Sequence, residues 1–212
     1  MSTRLDHLIV TAPTLAEGVA AVEASLGVAM SPGGQHVLMG THNAVLRLGA
    51  QEYLEVIAVD PTGTAPTRPR WFGLSHPVFK TGLAHWALAA QDIDAWAANL
   101  GFAAEEVIPM QRGDFAWRIS VPADGHLPEG GVVPSLIQWD VGGHPTERLL
   151  DAGCRLLALV LQHPEPARVA ARLESVDFED SRLRIQHHEQ PGLKALIGTP
   201  VGERWLFGEG HV

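Results

Sequence analysis

One pattern, repeated three times, constrains this chain more than any single motif: a strand running into an amphipathic helix, followed by further strand-like runs. In the first copy Leu5 to Ala12 reads as a strand, and Leu15, Val19, Val22 and Leu26 then share one helical face. Thr14 with Glu17 has capping-box spacing, and Gly27 stands where the helix should stop. The second copy, Leu83 to Ala90, leads through Asp92 as N-cap into a helix with Ile93, Trp96, Ala97 and Leu100 inward. In the third, Leu156 to Leu161 passes through Pro164 and Pro166 into a helix from Ala167 to Leu173, where a proline in the first turn costs no hydrogen bond.

Strand signals follow each helix. They are Asn43 to Leu48 and Tyr53 to Val59; Glu105 to Met110, Phe115 to Val121 and Ser135 to Trp139; then Ser181 to Gln186, Leu193 to Ile197 and Arg204 to Phe207. Crossovers of a doubly wound parallel sheet need only one strand between helices, so the pattern predicts an α+β fold of repeated βαβββ modules. The modules fall at residues 1–60, 80–141 and 152–210, in one compact body. Gly33-Gly34 and Gly142-Gly143 read as turns.

Composition excludes several classes of partner. The net charge is −9, and the only lysines are Lys80 and Lys194, so the clustered cations that phosphate backbones require are missing and nucleic acid is not an expected partner. The single cysteine, Cys154, rules out an internal disulfide and a cysteine-based zinc knuckle, which makes the cytoplasm the default location. No stretch approaches the roughly 18 apolar residues of a membrane span. A small-molecule ligand is expected, on a monomer or homodimer.

The first two copies carry polar groups at matching places. His7 and His85 are each third in their strand; Glu55 sits amid apolar neighbours in the last strand of copy one, and Gln138 does so in copy two. The equivalent position in copy three is Leu157. An unpaired buried carboxylate is expensive, so Glu55 needs a cationic or metal partner. By period-two alternation Glu55 shares a face with Tyr53 and Ile57, while Leu54 and Val56 point the other way.

With these positions, and with Gly40-Thr41-His42-Asn43, Tyr53-Leu54-Glu55 and Leu136-Ile137-Gln138-Trp139-Asp140, nearly the whole chain resembles the vicinal oxygen chelate superfamily, and more narrowly its glyoxalase-like proteins. The resemblance implies that the first two modules pair into a cupped half-barrel, with a third module at the C-terminus. It further implies metal ligands His7 and His85 from first strands and Glu55 and Gln138 from fourth strands. Two imidazoles, a carboxylate and an amide oxygen would suit a divalent Zn, Ni, Co, Mn or Fe(II) ion. The other reading of the same residues is a buried His7–Glu55 pair, with His85 satisfied by backbone.

One departure from the family bears on mechanism. Glyoxalase I relatives place a carboxylate base on a fourth strand, and the amide of Gln138 accepts no proton at neutral pH, so Glu55 is the remaining catalytic candidate. The set is similar to that of methylmalonyl-CoA epimerase with amide and carboxylate exchanged between modules. It also contains, in His7, His85 and Glu55, the two-His, one-carboxylate group of non-haem Fe(II) dioxygenases.

Candidate substrate-binding residues are His42 and Asn43 at a pocket rim, and Arg112, Trp117 and Arg118 beside the second cup. The planar fork of Arg118 suits a carboxylate or phosphate, or a salt bridge to one of the acids. Trp71 and Phe72 lie between the modules, as a lid or as core anchors. His36, His76, His126, His144 and His163 lie in loops rich in Pro and Gly and read as surface residues. Two functions follow: a small-molecule enzyme performing metal-assisted proton transfer of lyase or isomerase type on a carbonyl or carboxylate compound, or a non-catalytic binding or resistance-type protein.

Overall fold

The computed structural model describes residues 3–76 and 80–208; the outermost expected module ends, at 1–2 and 209–210, and His211 lie outside them. The first module runs β1 (Arg4–Thr11), α1 (Leu15–Leu26), β2 (Ser31–His36), β3 (Thr41–Arg47) and β4 (Tyr53–Val59). The second runs β5 (Gly82–Ala89), α2 (Ile93–Trp96), β6 (Val107–Arg112), β7 (Phe115–Ser120) and β8 (Ser135–Val141). The C-terminal part runs β9 (Arg155–His163), α3 (Pro166–Glu174), β10 (Leu183–His187), β11 (Gly192–Thr199) and β12 (Gly202–Phe207).

The helices start and stop as their end residues dictate. Thr14 Oγ1 accepts the Glu17 N–H at 3.2 Å, and Gly27, at φ 71°, ends α1 in a left-handed conformation that glycine adopts without steric cost. Asp92 caps α2, whose one α-helical turn tightens into a 3-10 turn over Ala97–Leu100. Pro166 stands in the first turn of α3. Among the described residues no helix is long and apolar enough to cross a membrane.

Modules one and two share a single curved sheet in the order β2-β3-β4-β1-β5-β8-β7-β6. In each, the first strand pairs in parallel with the fourth, and antiparallel pairing of β1 with β5 joins the halves. The C-terminal part keeps the βαβββ element order but pairs differently, as β10-β9-β11-β12, with β9 parallel to β10 and antiparallel to β11. It therefore forms a separate four-stranded sheet. Leu159, Leu161, Ala195 and Ile197 from that sheet join Val22, Leu54 and Leu136 in the core on the helix side of the large sheet. Ile9, Ile57, Ile119 and Ile137 belong to a second core on the cup side.

β2 has no counterpart among the strand signals of the first repeat. Its sequence, Ser31-Pro32-Gly33-Gly34-Gln35-His36, shows no apolar alternation; it is an edge strand, and a register shift between Pro32 and Gln35 interrupts its pairing with β3. Gly33-Gly34 is thus strand and not turn. A Cβ on Gly33 would stand 2.0 Å from Asn43 Oδ1, and one on Gly34 2.8 Å from Arg112 Cδ, so the pair opens room for two side chains of the cup.

Candidate functional site

The cup holds a cavity of about 20 Å³, partly open to the surface and walled by Tyr53, Trp71, Phe72, Trp117, Ile119, Ile137 and Trp139. Its polar lining is His7, His36, Asn43, Glu55 and Arg112. Trp71 and Phe72 stack on each other at 5.1 Å across the cup, in a turn where Phe72 (φ 57°) and Gly73 (φ 71°) are both left-handed.

β4 presents its residues as alternation predicts. Tyr53 and Glu55 face the cavity and Ile57 the cup-side core, while Leu54 and Val56 enter the helix-side core. Glu55 is 5 % exposed. Its Oε1 accepts the Asn43 Nδ2 hydrogen at 2.5 Å, and its Oε2 lies 3.7 Å from His7 Nε2. His7 stacks on Tyr53 with ring centroids 4.6 Å apart. Burial, and then the nearby carboxylates of Asp6 and Glu55, push the Tyr53 hydroxyl pKa up and keep it a phenol.

Behind His7 stands a residue that sequence reasoning missed. Asp6 is fully buried, with Oδ1 2.7 Å from His7 Nδ1 and Oδ2 accepting from Trp139 Nε1 at 3.0 Å and His144 Nε2 at 3.2 Å. Burial raises its pKa, but hydrogen bonds from His144 and His7, with their charges, outweigh that and hold the carboxyl well below the usual range. An ionised Asp6 only accepts, which assigns the Nδ1 proton to His7 and aims Nε2 at Glu55.

At the other end of the cup, Arg112 from edge strand β6 reaches the opposite edge of the sheet. Its Nη1 donates to Asn43 Oδ1 at 2.9 Å and to His36 Nε2 at 3.3 Å. Burial, and then the charge of Arg112, lower the His36 pKa to about 3, so the ring is neutral, accepts at Nε2 and keeps its proton on Nδ1 beside Thr41 Oγ1. His36, His144 and His163 are 3–5 % exposed, which overturns their reading as surface residues; His76 and His126 are exposed. The Pro- and Gly-rich context was the only local signal, and it does not report burial.

Of the four expected ligands, the fold brings only His7 and Glu55 together. His85 Nε2 accepts the Ser135 N–H at 3.1 Å, its Nδ1 bonds Gly131 O at 3.0 Å, and burial lowers its pKa to about 4, so both nitrogens are committed on a neutral ring. Gln138 lies on the other face of β8 from cavity-lining Ile137 and Trp139; its Oε1 accepts the Ile93 N–H at the start of α2, and its Nε2 donates to Asp140. Among the described residues no group of three or more His, Cys, Asp or Glu side chains is placed to hold a metal ion. The donor set does not fit the expected four-ligand site, nor the His7–His85–Glu55 triad.

The substrate-binding candidates divide likewise. Asn43, Arg112 and Trp117 line the cavity, as do Trp71 and Phe72. His42 is not in the lining, since it alternates with Asn43 along β3. Arg118 faces away, alternating with Trp117, and forms a salt bridge to Asp94 at 2.6 Å and a longer one to Asp140 at 3.4 Å.

A glyoxalase-like domain family matches residues 5–176. The chain belongs to that family. No curated protein matches it. Among solved structures, a hypothetical protein from Staphylococcus aureus is 16 % identical over 90 % of this chain and 88 % of its own, with a TM-score of 0.61, and shares the fold. A hypothetical protein from Bacillus halodurans is 15 % identical (68 % of this chain, 98 % of its own, TM-score 0.45). A Streptomyces coelicolor methylmalonyl-CoA epimerase variant, bound to 2-nitronate-propionyl-CoA, is 22 % identical (65 % and 95 %, TM-score 0.42).

Proposed function

We propose that this glyoxalase-like protein is an isomerase-type enzyme that moves a proton on a small carbonyl or carboxylate compound, with Glu55 and the Asp6-oriented His7 as its acid–base pair. The observation that carries this reading is the 3.7 Å approach of His7 Nε2 to Glu55 Oε2 inside a walled cavity, with Nδ1 of the same ring tied to Asp6 at 2.7 Å. A nearly buried carboxylate beside a positioned imidazole is an arrangement suited to general acid–base catalysis.

In this scheme Glu55 takes a proton from the carbon next to the carbonyl, and the C–H electron pair moves to the carbonyl oxygen as an enolate. His7 Nε2 faces that developing charge, and Asp6 stabilises the imidazolium form. Return of the proton to carbon regenerates the Glu55 carboxylate. A positioned general base contributes on the order of 10²–10⁴ in rate.

The test is proton NMR in D2O with a panel of 2-oxo acids, hydroxyketones and acyl thioesters. Expected is deuterium incorporation at one carbon of at least one compound, abolished in Glu55→Gln. A compound that raises the unfolding midpoint yet exchanges no C–H beyond the solvent rate would favour a binding protein instead.

A further inference from the structure

We propose that the cup contains a carboxylate subsite formed by Arg112 and the indole N–H of Trp71, and that its ligands are small 2-oxo carboxylates. This deepens the proton-transfer reading and rests on it only for which atom reacts. Arg112 is half-buried and has no carboxylate partner among the described residues. Arg118, Arg148, Arg155, Arg168 and Arg182 pair with acids, and of the arginines without an acid partner among the described residues Arg112 is the one that lines the cavity. Both bonds of Arg112 to the cup go to neutral acceptors and both use Nη1, which leaves the Nη2 side of a planar fork for an anion.

The one carboxylate in the cavity lining is kept from closing that fork. Asn43 stands between them, donating through Nδ2 to Glu55 and accepting through Oδ1 from Arg112 and from the Gly34 N–H. Glu55 thereby stays free to face His7, and the guanidinium keeps its charge uncompensated. Neutral His36 adds no second cation and touches both partners, with its ring 5.1 Å from that of Trp71 and its Nε2 on Arg112.

Trp71 supplies the independent observation. It is 3 % exposed, it lines the cavity, and its Nε1 is a buried donor without a hydrogen-bond partner among the described residues. Leaving such a donor unmade costs free energy that an anionic oxygen would recover. Arg112 and Trp71 both line the cavity and both contact His36, and the His7–Glu55 pair lines it too; the set suits a short molecule carrying a carboxylate and, beside it, a carbonyl that activates a C–H. A 2-oxo acid meets both needs.

The experiment records the indole resonances of 15N-labelled protein, with Trp71 identified through Trp71→Phe, during titration with pyruvate, methyl pyruvate and inorganic phosphate at constant ionic strength. Expected is a saturable shift of the Trp71 resonance with pyruvate and none with the neutral ester or with phosphate. Arg112→Gln should weaken pyruvate at least about tenfold. Arg112→Lys, which keeps the charge but not the fork, should fall between the two and guards against a folding defect in the first variant. An equal response to ester and acid, an equal response to phosphate, no pyruvate response, or undiminished affinity in a folded Arg112→Gln would each overturn the subsite. Pyruvate binding without C–H exchange would leave the subsite standing and overturn the proton-transfer reading alone.

Discussion

Asp6 Oδ1 and His7 Nδ1 lie 2.7 Å apart although the two residues are neighbours in a strand, where successive side chains normally point to opposite faces. A register shift in the β1–β5 ladder explains it: Leu5 pairs with Leu88 and His7 with Ala87, so Asp6 is the extra residue of a bulge. The bulge re-aims one side chain and so places a fixed negative charge behind the imidazole.

Asp6→Asn should therefore impair exchange through His7 rather than through the fold's outline. An amide that presents its N–H to Nδ1 blocks protonation there and no longer stabilises the imidazolium form that faces the enolate. The expected result is a fall in turnover with little change in ligand affinity, and a changed pH dependence of His7 followed by NMR of its ring protons. Unchanged turnover would remove Asp6 from the mechanism.

Glu55→Gln is nearly isosteric and should lower exchange by about 10²–10⁴ while the protein stays folded, as a missing base predicts. Gln138→Ala and Arg118→Ala form the contrast. Gln138 holds the first N–H of α2 and Arg118 sits in an exterior pair, so each should cost about 0.5–1.5 kcal/mol or less and leave exchange unaltered. Rates and urea midpoints on the same preparations separate the two kinds of effect.

Stability should fall on acidification below the ordinary histidine range. The folded pKa of His85 is lowered to about 4 and that of His36 to about 3, against 6.5 for the free side chain. The unfolded chain therefore binds protons first, and the stabilisation present above pH 6.5 is lost as pH falls toward 4 and 3. Each such histidine contributes a slope of about 1.4 kcal/mol per pH unit. Asp6, also held below its usual value, adds loss at the acid end, below 3.8. Urea midpoints across this range would measure the slope, and His85→Gln should flatten it.

How much of this was legible depends on what set each residue's surroundings. The α1 and α2 caps and the face of Glu55 follow from local chemistry, namely Thr14, Gly27, Asp92 and period-two alternation. Those features hold regardless of what packs above them. Gln138 was placed by its module position alone, whereas alternation about Ile137 and Trp139 turns it toward α2. β2, the Asp6 bulge and the buried His36 and His144 arise from pairing and packing between distant segments, which one sequence does not display. The C-terminal part repeats the element order, yet its strand order differs, because hydrogen-bond partners are chosen by assembly.

Chelation should leave the protein's stability unchanged. A resident ion that binds only the folded state raises stability by mass action, so its removal lowers the unfolding midpoint. Here two donors, His7 Nε2 and Glu55 Oε2, stand 3.7 Å apart, while His85 is taken by Ser135 and Gly131 and Gln138 by α2. Structural zinc needs four ligands, and catalytic zinc generally three from the protein. Equal midpoints with EDTA, without it, and with added zinc, nickel or manganese are the expected outcome. A midpoint that drops with EDTA and recovers with one metal would show that His85 or Gln138 leaves its present partners, and would restore the four-ligand set.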